Sequence, residues 1–217
     1  MIWQLADSGF PGGGFAHSSG LEAAVQSGLI TDEASLADAV LLIAHQTAGA
    51  ALPAVYSVIR QPDAFAKADR RVDAAMLNQV ARRASVAQGQ ALLTAAGNIF
   101  NDLPDLLTWI DEVRRLSLPK HLAPVFGRLT GELGLTCPEA GRLMLFMSAR
   151  SAMSAAVRLG ACGAMQSQRL LRGLAEPCDE IVERSLEWGL DDIHQAAPLL
   201  DLLQSGQDRL YSRLFQS

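Results

Sequence analysis

The sequence predicts an all-α protein, a single-domain bundle of roughly eight to ten helices over residues 1–217, and three observations carry that prediction. Ala (34) and Leu (33) dominate the 217 residues, against 25 Val, Ile and Thr together, a balance that favours helix over sheet. Along most of the chain the apolar residues recur at intervals of three and four, the spacing of one helix face. No linker, charge block or repeat of about 20 to 50 residues divides the chain.

In order, the densest turn segment is Gly9 to Gly14, where three successive glycines follow Pro11. A helix is expected from Ser18 or Ser19 to Gln26, stopped by Gly28. Thr31 and Asp32 read as caps for a long apolar helix reaching Arg60, with a kink or break at Pro53. Pro62 reopens helix, and Val72, Met76, Val80, Ala84, Ala87 and Ala91 extend it as one element from Asp63 to about Ala96. A shorter helix spans Asp105 to Leu116. Thr136 and Pro138 open the clearest one, with an apolar stripe of Leu143, Phe146, Met147, Met153 and Val157 and a stop at Gly160. A second stripe of Ala149, Ala152 and Ala156 suits close approach by a helix of the same chain or of a dimer mate. Ala164–Leu174, Cys178–Trp188 and the tail from Pro198 to Phe215 complete the reading.

Charge and cysteine content exclude several classes. Eighteen Lys and Arg against 23 Asp and Glu leave a net charge of −5, so no field draws nucleic acid or an anionic membrane. Ala39 to Ile59 carries no charged residue and is long enough to span a bilayer. His45, Gln46, Thr47, Gly49, Pro53 and Ser57 interrupt it, and no basic cluster follows, so a buried helix is expected rather than a membrane span. Cys137, Cys162 and Cys178 are odd in number and widely spaced. They suggest neither a disulfide framework nor a zinc knuckle, and suit a reducing cytoplasm. Met1 to Asp7 lacks the basic and apolar regions of a secretory signal.

The passage from Phe10 to Glu22 is the most unusual, and three enzyme readings of it fail. There is no lysine for a phosphate loop, no GxSxG on a strand-to-helix turn, and His17 lacks a second ligand at zincin spacing. A hydrolase using Ser18 or Ser19 with His17 would need adjacent side chains that point about 100° apart on a helix. Spacing alone favours a structural role in which His17 and Ser18 satisfy helix-end backbone groups. His17, His45, His121 and His194 are scattered singly. His45 is expected in the core, and His121 as a helix cap or a surface contact. Arg82, Arg83, Ser85 and Gly89 form either an anion site or a solvated helix face with local salt bridges. Arg158 follows an Ala/Ser-rich face, where a close-packed partner would partly bury it. The last residues, Arg209 to Ser217, alternate arginine with tyrosine, leucine and phenylalanine, types enriched at interfaces.

Together these passages resemble the urease accessory protein UreF family. Gln4 to Ser8, Phe10-Pro11, Gly13 to Ser18 and Gly20 to Glu22 match its opening signature. Arg83 to Ser85 with Gly89, His121 with Ala123 to Gly127, Ser154 to Leu159, and Tyr211 to Ser217 follow in order. The resemblance covers the chain from end to end, with an N-terminal Gly-rich motif at 7–22 and a C-terminal partner-binding tail at 205–217. Gly12 stands where Thr or Ile is common in the family, and Gln207 where many relatives have histidine.

The resemblance implies a non-catalytic, homodimeric, cytoplasmic subunit. With UreD (also called UreH) and the GTPase UreG it would insert nickel into apo-urease. It implies no tightly bound cofactor and no metal ligand of its own, since nickel is cargo and UreG binds the GTP. The expected UreD/UreG platform comprises Phe15, His17, Ser18, Glu22, Tyr211, Arg213, Leu214, Phe215 and Ser217, the two terminal motifs lying together. Arg142, Phe146, Ala149 and Met153 are expected at the dimer interface. Pro11, Gly13, Gly14, Gly20, Arg83, Ser85, Gly89, His121, Gly127 and Arg158 are expected to hold the motifs in place. A transient nickel-carrying role would fall on His17, His121 or Cys162.

Overall fold

A computed structural model describes residues 2–12, 17–206 and 214–215 of the chain. Among these residues there is no strand. The helices are α1 (Ile2–Ala6), α2 (Leu21–Gln26), α3 (Glu33–Arg60), α4 (Phe65–Ala75), α5 (Gln79–Ile99) and α6 (Pro104–Arg115). They continue as α7 (Leu122–Glu132), α8 (Cys137–Arg158), α9 (Ala164–Gly173), α10 (Ala175–Ser185) and α11 (Pro198–Ser205). The fold is all-α, and nine of these helices have eight residues or more.

The long apolar helix α3 is the central post. Its start is fixed by a capping box: the Asp32 carboxylate accepts the Ser35 N–H at 2.8 Å, and the Ser35 hydroxyl accepts the Asp32 N–H at 3.1 Å. Helices α7 and α8 pack along it, with α4 and α10 beside them. By length and composition α3 passes for a membrane span, yet Leu36, Val40, Ile43, Leu52 and Val55 are buried by these neighbours. His45 lies on its exposed side and not in the core, because the buried stripe of α3 passes through Ile43, Ala44 and Ala48.

Pro53 neither breaks nor ends α3. A proline inside a helix leaves the carbonyl four residues earlier without its donor. That carbonyl belongs to Gly49, and it accepts the His194 N–H at 3.1 Å. The bond requires Gly49 to lack a side chain, since a Cβ there would lie 2.7 Å from the His194 imidazole. The segment between α10 and α11 thus crosses α3 where the proline makes a carbonyl available.

The element expected over 63–96 is two helices. Apolar spacing continues across the junction, but the Asn78 carboxamide oxygen accepts the N–H groups of Val80 and Ala81 at 3.0 and 3.3 Å and starts α5 afresh. Its amide nitrogen donates to the Asp201 carbonyl at 3.0 Å, so the break also seats α11. Helix α8 opens as expected, with the Glu139 carboxylate accepting the Thr136 N–H at 2.8 Å. Helix α2 begins at Leu21, after the two serines, and α10 spans Ala175–Ser185, three residues earlier than its expected range.

Two apolar clusters result. The larger gathers Tyr56, Phe126, Leu129, Ile110 and Leu145 around α3, α7 and α6. The smaller joins Leu21, Leu36, Ile43, Met153, Leu200 and Phe215. Helices α3 and α8 contribute to both, and at Gly127 helix α7 approaches α3 so closely that a Cβ would lie 2.7 Å from the Val55 carbonyl.

Candidate functional site: the junction of the two terminal motifs

The chain enters α2 through two left-handed residues, Ser19 at φ 53° and Gly20 at φ 86°. Only glycine adopts the second without strain, and a Cβ there would also press on the Leu200 carbonyl at 3.2 Å. The Leu21 N–H closes the turn on the Ser18 carbonyl at 3.1 Å. This turn carries Ser18 and Glu22 inward, where Glu22 is 1 % exposed. A buried carboxylate is costly unless hydrogen-bonded, and the C-terminal segment supplies the donors. Glu22 Oε1 accepts the Leu214 N–H at 2.6 Å, and Oε2 accepts the Phe215 N–H at 3.2 Å.

Those bonds fix the direction of the tail. The Phe215 ring is 4 % exposed and belongs to the smaller core, while Leu214 faces solvent. The Arg158 guanidinium covers the ring at 4.1 Å from its centroid, within cation–π range. In the single chain Arg158 is thus an exposed residue stacked on a buried ring. His17 lies beside this junction, and its burial pushes the imidazole pKa below the ordinary value of 6.5, favouring the neutral form. The expected meeting of the terminal motifs thus takes the form of Glu22 and Arg158 holding Leu214 and Phe215. Phe15, Gly13, Gly14, Tyr211, Arg213 and Ser217 lie outside the described residues, and Pro11 is exposed.

The middle blocks form a second, buried polar knot. His121 is 0 % exposed. Its Nδ1 lies 3.0 Å from the Ser85 hydroxyl, and its Nε2 lies 3.0 Å from Asp73 Oδ1. The Asp69 carboxylate accepts the N–H groups of His121 at 2.7 Å and Lys120 at 3.0 Å, holding Lys120 at φ 65°. Asp73 also takes an ion pair from Arg82 at 2.6 Å. That hydrogen bond, aided by His121, holds its pKa below the usual carboxylate value and raises that of Arg82. Gly89 lets α5 touch the 120–122 turn, since a Cβ there would lie 2.0 Å from the Lys120 carbonyl oxygen. His121 is a buried tie and not a surface contact. Arg82 makes a local salt bridge to Asp73, and Arg83 is exposed on the same helix. Asp69 and Asp73 were not singled out by sequence reasoning; their i, i+4 spacing on one helix face was the available signal.

On α8, Ala149 and Met153 are buried in the smaller core, so they are not surface for a partner. The expected interface reduces to Phe146, 41 % exposed, and Arg142. Arg142 is itself engaged with Asp179 at 2.8 Å and Glu183 at 2.7 Å on α10. Buried residues flank Phe146 on both sides along α8, with Leu143 to Leu145 in the larger cluster and Ala149, Ala152 and Met153 in the smaller.

Between the two clusters lies a cavity of about 840 Å³, walled by the N-terminal segment, α3, α5, α8 and α11. Leu5, Leu92, Phe126, Met144 and Met147 make it largely apolar, with His17, Arg150 and Asp201 at its edges. Among the described residues, no group of three His, Cys, Asp or Glu is placed to hold a metal ion. The three cysteines are free and half-buried, and burial raises their thiol pKa values.

Residues 30–175 match the sequence profile of the family described as UreF. The chain is 36 % identical over 222 residues to urease accessory protein F of Arabidopsis thaliana, covering 99 % of this chain and 91 % of that protein. It is 36 % identical to urease accessory protein F of Oryza sativa subsp. indica, over 98 % of this chain and 83 % of that one. It is 30 % identical to urease accessory protein UreF of Arthrobacter sp. strain FB24, over 100 % and 96 %. With the family profile matching residues 30–175 and the similarity to these relatives running over nearly the whole chain, the chain belongs to the UreF family of urease accessory proteins.

Proposed function

We propose that the protein serves urease maturation as a non-catalytic scaffold, joining UreD and the GTPase UreG in a cytoplasmic complex that loads nickel into apo-urease. The observation that carries this reading is the seating of Leu214 and Phe215 on Glu22 and Arg158. It gives the N-terminal and C-terminal family blocks a shared surface on which UreD and UreG would assemble. Nickel is the cargo, GTP belongs to UreG, and this chain supplies positioning. His121 does not suit transient nickel carriage, because both its ring nitrogens are engaged and it is fully buried. The exposed Phe146 near the middle of α8, with Arg142 one turn before it, is the proposed homodimer contact.

The reading is tested in cells that make urease, UreD and UreG with or without this chain. Nickel content and activity of the purified urease should rise with the chain and stay near background without it. Equal nickel in both preparations would overturn the reading.

A further inference from the structure

We infer that Ser85, His121 and Asp73 act as nucleophile, base and orienting acid in the hydrolysis of carboxylic esters whose apolar acyl chain enters the 840 Å³ cavity. The activity is separate from the scaffold role and does not rest on it.

The direction of the hydrogen bonds follows from the acid. Arg82 pairs with Asp73 and keeps it ionised. An ionised carboxylate only accepts, so His121 Nε2 carries a proton and donates it to Asp73 across 3.0 Å. In the neutral ring Nδ1 is then the acceptor, and the Ser85 hydroxyl donates to it across 3.0 Å. The Leu122 N–H donates to the Ser85 oxygen at 3.3 Å, which leaves that oxygen one lone pair for attack on a carbonyl carbon. The two ring nitrogens exchange the places they hold in the chymotrypsin arrangement, but a triad is defined by geometry and roles rather than by atom name.

The nucleophile belongs to the cavity wall. Ser85, Gln88 and Leu92 stand at i, i+3 and i+7 on one face of α5, and all three line the cavity. Leu122, Phe126 and Met144 line it as well and suit an unbranched acyl chain. The Gln88 carboxamide makes no hydrogen bond among the described residues and supplies an N–H for the developing oxyanion. In the first half of the reaction the Ser85 oxygen bonds the ester carbonyl carbon while its proton passes to His121 Nδ1. The ester C–O bond then breaks, and the leaving alcohol takes that proton. Water repeats the sequence on the acyl-serine, releasing the free acid and restoring the Ser85 hydroxyl.

The test uses the purified full chain with a fluorophosphonate probe and with p-nitrophenyl octanoate. A single probe adduct should map to Ser85 by peptide mass spectrometry, and Ser85→Ala should abolish both the adduct and ester turnover. Gln88→Leu should lower kcat about 10²- to 10³-fold with KM little changed. No adduct at Ser85 under excess probe, an adduct without ester turnover, or turnover undiminished in Ser85→Ala would overturn the triad. Should Ser85→Ala fail to fold by circular dichroism, the adduct map of the unaltered chain and the kinetics of Gln88→Leu decide the question. Neither assay reads nickel delivery, so failure here leaves the scaffold reading standing.

Discussion

The Arg158 guanidinium carbon lies 4.1 Å from the centroid of the Phe215 ring, so the last turn of α8 holds the C-terminal segment against the body of the protein. The same segment is tied by its backbone to Glu22 at the start of α2. One buried carboxylate and one arginine thus bring together parts of the chain almost two hundred residues apart.

The amides of Leu214 and Phe215 should be protected from hydrogen exchange despite their place at the chain end. Hydrogen bonds to a charged acceptor contribute about 1.5–3 kcal/mol each. Glu22→Ala should therefore speed exchange at both amides by roughly 10- to 100-fold. Exchange at the random-coil rate in the unaltered protein would contradict the clasp.

Gly89→Ala places a methyl group on the Lys120 carbonyl, where backbone has to move. Urea unfolding should show a loss of about 3 kcal/mol, against less than about 1 kcal/mol for alanine at solvent-exposed Gly163.

The Asp69 carboxylate accepts two backbone N–H groups in a fully buried site. Asn offers one oxygen and brings two unmatched donors, so Asp69→Asn should cost about 2–3 kcal/mol in the same titration. Lys120, held left-handed at φ 65°, gives the opposite sign: Lys120→Gly relieves strain and should stabilise by about 1 kcal/mol.

Stability should fall in two stages as pH is lowered. His17 has a folded pKa below its ordinary 6.5, so the unfolded chain binds its proton first and stability declines as pH drops below about 6.5. Asp73 also has a lowered folded pKa. Its contribution is present above the ordinary carboxylate value of 3.8 and is lost below it, as pH falls through the folded pKa. Thermal melts of His17→Gln should flatten the first stage alone, and those of Asp73→Asn the second.

Phe146 and Met153 sit two turns apart on α8, one 41 % and the other 1 % exposed. In the proposed homodimer, Phe146→Asp should convert dimers to monomers by light scattering while the monomer stays folded by circular dichroism. Met153→Asp buries an unpaired charge and should prevent folding.

The helix starts at Asp32 and Thr136 were legible, because these capping residues act through the few residues that follow them. The break before α5 was hidden, since Met76 and Val80 keep the apolar spacing of one helix while Asn78 caps a new one. Continuity through Pro53 was hidden for a different reason: the group that takes the Gly49 carbonyl is His194, far along the chain. The terminal junction was anticipated from family blocks, yet its chemistry was not. Glu22 in sequence is an ordinary first-turn acid, and only the fold shows that its partners are amides of the tail. Ala149 and Met153 were assigned to the dimer interface through the family resemblance, and the apolar spacing that agreed with it marks a buried face without saying whose residues bury it.

Co-expression with UreD, followed by size exclusion with light scattering, tests the central claim most directly. The unaltered chain is predicted to elute with UreD as a two-plus-two complex, and the chain lacking Arg209 to Ser217 to elute alone. Full-length chain that never retains UreD, or a truncated chain that retains it undiminished, would contradict a tail-seated scaffold.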